Sequence, residues 1–166
     1  LLLAALITVP ATLLLLPVEP ILTLLRQPQG AVPIAAGYVY RSLPGLLPFF
    51  GFVVLRQTLQ AHERMRPIVI VIIAANLLNL GLDIVLVFGL LGAPAMGVFG
   101  SAWATTVCRF VLFAGVLAAD HRELLPLLSR VDPEALRLEP LLAMARLGAP
   151  IGIQIQLELA AFGVIG

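Results

Sequence analysis

Charge is what this sequence has least of. Of its 166 residues 10 are basic and 9 acidic, 11% in all, and lysine is absent, so every basic residue is an arginine. Soluble domains carry about a quarter charged residues, so a water-exposed globular surface is excluded. A net charge of +1 leaves no basic surface for nucleic acid. The single cysteine, Cys108, lies in an apolar span and excludes an internal disulfide. No HExxH, GxSxG or phosphate-cradling glycine loop occurs. His62 and His121 fall in charged connections, as solvated loop histidines do. An enzyme, a resident metal and an organic cofactor are therefore not expected.

What fills the sequence instead is apolar: 61% of residues are hydrophobic and the mean hydropathy is +1.09. That is a membrane protein, with length for four or five crossings. The chain has no initiator Met and no positively charged stretch before its first apolar run, a poor fit to a signal peptide. It reads as a segment of a longer polytopic chain whose remainder is its necessary partner.

The first span, Leu1 to about Leu25, is bent or ended by Pro10, Pro17 and Pro20. The second, about Pro33 to Leu55, is expected to kink at Pro44, Gly45, Pro48 and Gly51. Arg41 inside it should pair, with Glu19 as partner, or snorkel. The third span, Pro67 to Leu91, interrupts its apolar run with Asn76, Asn79 and Asp83, whose spacings of three and four place them on one helical face. An unpaired carboxylate there costs about 2.5 kcal/mol or more. The stripe is therefore either an ion or proton site or a polar seam between helices.

The fourth span, about Gly97 to Ala118, presents Ser101, Thr105 and Arg109 at intervals of four. Its small residues Gly97, Gly100, Ala102 and Ala104 permit close packing. Trp103 and Met96 read as packing or interfacial residues. Residues 1–118 thus form one four-helix unit. Residues 119–146 form a polar connection, where Asp132-Pro133-Glu134 starts an amphipathic surface helix. A fifth span begins near Leu147 and carries Glu158. Gln154 shares the face of Glu158 and would contact substrate or bond a neighbouring helix.

Seven arginines fall in the connections at 56–66 and 119–146, and only Arg26 in those at 26–32 and 90–97. The first pair is therefore cytoplasmic. Counting back from the outer turn puts Asp83 and Thr105 each about 11 Å below the external surface. Glu158 falls about 17 Å into its span.

Arg66-Pro67, ANLLNLGLD (Ala75 to Asp83) and GLLGAPAMGVFGSAWAT (Gly89 to Thr105) resemble the multidrug and toxin extrusion (MATE) transporters. LGAPIGIQIQLELAAFGV (Leu147 to Val164) is similar to the helix that opens that family's second lobe. The likeness implies an all-α polytopic membrane bundle, roughly the third to seventh helices of a twelve-helix, two-lobe fold. It implies cation-coupled antiport, driven by Na⁺ or H⁺, of drug-like and often cationic organic compounds by alternating access. By the same likeness Asn79, Asp83, Thr105 and Glu158 match cation- or proton-binding positions. Gln154 and Asn76 are the substrate-contact candidates. The implied location is a bacterial inner membrane. The turn Ala61-His62-Glu63 departs from the family, where members often carry glycine. The alternatives are a lipid or oligosaccharide flippase, for which Arg41 and Arg109 would meet phosphorylated cargo, or a non-transporting membrane subunit held together by its polar stripes.

Overall fold

The structure, a computed structural model, describes residues 2–129 and, beyond them, residues 142, 143, 146, 148, 150, 152–154 and 157. The described residues contain helices and no strands. The chain divides into two compact units, Leu1–Leu125 and Pro126–Gly166. The surface helix expected from Asp132, most of the fifth span and Glu158 lie outside the described residues.

In the first unit the apolar spans become helices that break at only some of the expected positions: the helix over Leu2–Leu15 runs on through Pro10, and that over Leu46–Ala61 through Pro48 and Gly51. Helix α1 (Leu2–Leu15) and α2 (Val18–Leu24) form one span bent by 57°. Pro20 has no N–H to offer the carbonyl of Leu16 four residues earlier. The hydroxyl of Tyr40, from the next span, donates to that carbonyl at 2.9 Å.

The second span runs from Val32 to Ala61 as α3 (Val32–Ser42), a 3₁₀ turn (Leu43–Gly45) and α4 (Leu46–Ala61). Within the turn the N–H of Leu46 bonds Leu43, one residue short of a helical turn, so the carbonyl of Ser42 loses its helical partner. Arg109 donates to Ser42 at 3.2 Å and Thr106 to Arg41 at 2.8 Å. Membrane helices tolerate breaks when neighbours supply such donors.

Helix α5 (Met65–Phe88) and helix α6 (Val98–Ala119) are unbroken spans. Gly89 stops α5 in the left-handed conformation (φ 72°), and the N–H of Leu90 reaches back to Val85 at 3.0 Å. The tight loop that follows returns Met96 and Gly97 to the free carbonyls of Leu86 and Val87. Helix α6 is central, packing on α3, the 3₁₀ turn, α4 and α5. Gly100, Ala102 and Ala104 lie on its buried side, as their size suggests. Gly97 does something else: it is the positive-φ residue that starts α6. Helix α7 (His121–Ser129) follows, with Leu124 buried.

Of the two outcomes expected for Arg41, the pairing with Glu19 does not form. Its guanidinium donates to the carbonyl of Gly37 at 2.9 Å and lies 4.1 Å over the ring of Phe99, while Glu19 is exposed on α2. The cause is Gly37: a Cβ there would meet Phe99 at 2.6 Å and Arg41 at 3.1 Å, so only glycine leaves room for the stack. A cation on an aromatic face satisfies the charge without an acid.

Candidate functional site

A cavity of about 280 Å³ opens between α4, α5 and α6. Helix α5 contributes Ile72, Ala75, Asn76 and Asn79, spaced at three and four residues, the face-sharing interval of a helix. Helix α6 contributes Thr105, Cys108, Arg109 and Leu112 at the same intervals, and α4 adds Phe49 and Phe52. The two stripes meet because the tight loop at 89–97 makes α5 and α6 antiparallel neighbours. The structure brings together Asn76, Asn79 and Thr105.

Asp83 lies one turn beyond Asn79 and is not part of the cavity lining. Its Oδ1 is sealed from solvent and has no hydrogen-bond partner. It lies within electrostatic range of Cys108, whose thiol is paired with the Asn79 side chain. The acid therefore ends the same polar row that lines the cavity, on the side away from Arg109.

Arg109 is the charged group of the lining. One of its N–H groups serves Ser42, and its guanidinium lies 5.2 Å from the centre of the Phe49 ring. Ser101, the first member of its stripe, does not reach the cavity. Sequence reasoning passed over Phe49, Phe52, Cys108 and Thr106. A three-residue Phe spacing in α4 was the available signal for two of them. No sequence signal marks Thr106, whose role depends on where the 3₁₀ break falls.

Chemically, the amide and hydroxyl oxygens of Asn79 and Thr105 suit a hard cation, and a carboxylate one turn away supplies charge. No cluster of three or more His, Cys, Asp or Glu able to hold a metal occurs among the described residues. Gln154 is exposed and belongs to the unit Pro126–Gly166. His62 and His121 are both exposed, with ring nitrogens near the carbonyls of Thr58 and Ala118.

The MatE family model matches residues 1–85. A probable multidrug resistance protein NorM of Bradyrhizobium diazoefficiens is 35% identical over 145 residues, 80% of this chain and 30% of the relative. Another of that name from Mesorhizobium japonicum is 39% identical over 117 residues, 70% of this chain and 25% of the relative. The mouse multidrug and toxin extrusion protein 2 is 38% identical over 105 residues, 63% of this chain and 18% of the relative. The chain thus spans less than a third of the length of these relatives. No solved structure matches it. An all-helical membrane bundle and a family model covering half of the sequence lead to one conclusion: this chain belongs to the MatE family of multi-pass membrane transporters.

Proposed function

We propose that this chain is part of one lobe of a cation-coupled antiporter that exports drug-like, often cationic organic compounds by alternating access. The observation that carries the reading is the sealed, unpartnered Oδ1 of Asp83 at the end of the Asn76–Asn79 row. A carboxylate in that position is stable when it holds a proton or a cation and costly when it holds neither. Loading and unloading therefore exchange two states of different energy, and an ion gradient biases one over the other. Asn79 and Thr105 supply neutral oxygens for a bound Na⁺, Asn76 borders the substrate side, and Glu158 and Gln154 serve the companion site in the following span. No organic cofactor enters this cycle. The partners are the coupling ion, the substrate, the bilayer and the remainder of the transporter. The bacterial relatives support placement in an inner membrane.

A second reading, a flippase for phosphorylated lipid or oligosaccharide, draws on Arg109, which gives the cavity wall a positive charge. Dye efflux from cells expressing the full-length protein, with Na⁺ and pH varied independently, separates the readings. The antiporter loses gradient-dependent efflux with Asp83→Asn while still reaching the membrane. Efflux indifferent to both gradients rejects antiport, and unchanged efflux in Asp83→Asn reduces the stripe to a helix-holding seam.

A further inference from the structure

A second constellation shares no lining residue with the cavity and lies at the cytoplasmic ends of α5 and α6. Two adjoining hollows meet there around Arg64, Ala119 and Asp120. One is polar, about 500 Å³, and adds His121 and Arg122 to that set. The other, about 300 Å³, adds Arg66, Pro67 and Ile70 and is mostly apolar. Ile70 is 67% exposed, so the apolar hollow opens onto the bilayer face of α5.

Charge in this corner is unbalanced in a particular way. Arg64 is paired with Oδ1 of Asp120 at 3.0 Å, whereas Arg66 and Arg122 are exposed and make no ion pair among the described residues. Helix α5 begins here with no side-chain cap and no acid in its first turn, so the positive end of its dipole is uncompensated. These features attract an anion. Asp120 adds the opposite demand: it is only 7% exposed, lines both hollows, and its Oδ2 accepts no hydrogen bond. A buried carboxylate oxygen without a donor is costly. A simple phosphate would satisfy the arginines and repel Asp120.

We propose that this corner binds the headgroup of an aminophospholipid of the inner leaflet, its phosphate against Arg66 and Arg122 and its primary ammonium donating to Asp120. The zwitterion answers both charges at once, and its acyl chains continue over Pro67 and Ile70 toward the membrane. A choline headgroup has no N–H to give Asp120, and a glycerol headgroup has no cation. Basic hollows between membrane helices on the cytoplasmic side are the places where lipid headgroups are held.

The test uses the purified full-length protein in nanodiscs of matched acyl chains and constant anionic lipid. The neutral component is phosphatidylethanolamine or phosphatidylcholine. Native mass spectrometry after detergent release should show about fivefold more ethanolamine lipid retained than choline lipid, the factor one net hydrogen bond gives. Arg66→Gln with Arg122→Gln, which leaves the Arg64–Asp120 pair in place, should lower retention of both lipids. Asp120→Asn should abolish the preference between them. Equal retention of the two lipids by the unaltered protein overturns the proposal, a result that needs no variant to fold. Soluble glycerophosphoethanolamine competing as well as the lipid would assign the site to a free phosphodiester and also overturn it.

Discussion

The hydroxyl of Thr106 on α6 donates to the main-chain carbonyl of Arg41 at 2.8 Å, across 65 residues of sequence. Arg109, one turn further on, does the same for Ser42. Together these bonds replace what the Leu43-Pro44-Gly45 turn takes from its own helix.

Replacing Thr106 by Val keeps the volume and removes the donor. The carbonyl of Arg41 then loses its side-chain partner in a dry setting, at a cost of about 1 kcal/mol. Thr106→Ser retains the hydroxyl and should restore most of the loss. The check is the unfolding midpoint of the purified protein in a fixed detergent, where Thr106→Val lowers it and Thr106→Ser does not. Equal midpoints for all three proteins would show that the break is stable without its strap.

Close approach of α5 and α6 depends on Gly100. A Cβ there would lie 2.6 Å from the carbonyl oxygen of Leu86, a backbone atom that cannot swing aside. Gly100→Ala should therefore cost about 1–3 kcal/mol, the usual penalty of overpacking. Because Asn79 and Thr105 lie on these same two helices, the variant should also weaken gradient-dependent efflux more than it lowers the amount in the membrane. Measuring both quantities in one strain decides the matter.

Two turns with the same backbone hand should respond in opposite directions. Gly89 has φ 72°, and a Cβ there would sit 2.7 Å from the amide nitrogen of Ala95, so Gly89→Ala should destabilise by about 2 kcal/mol. Glu63 has φ 58°, a conformation that a side chain disfavours, and Glu63→Gly should raise stability by about 1 kcal/mol. Thermal midpoints moving the same way for both variants would contradict this account.

Much of this architecture is legible in the residues, and the exceptions have a common cause. Four spans and a break in each of the first two follow from local rules about proline, glycine and hydropathy, whereas the third span ends at Phe88, three residues before the expected Leu91, because Gly89 turns left-handed. Depth puts Asp83 level with Thr105, but the cavity takes Asn79, one turn deeper on the same stripe, beside Thr105. What could not be read were the long-range donors: Tyr40 for Leu16, Thr106 for Arg41, Arg109 for Ser42. A proline names the carbonyl it frees, as Pro20 does for Leu16, but nothing in a sequence says which hydroxyl will stand opposite it. Arg41 illustrates the same limit. Its charge demanded a partner, and an acid is the obvious one, but the absent side chain of Gly37 admitted an aromatic ring instead.

The straps at the 3₁₀ turn also decide where this bundle can flex. Both straps end on the last two carbonyls of α3, so hydrogen bonds tie α6 to the near side of the break, while α4 is held to α6 by packing. The first span is held differently: the Tyr40 hydroxyl bonds its 57° corner, and α1 packs on α4 and α2 on α3.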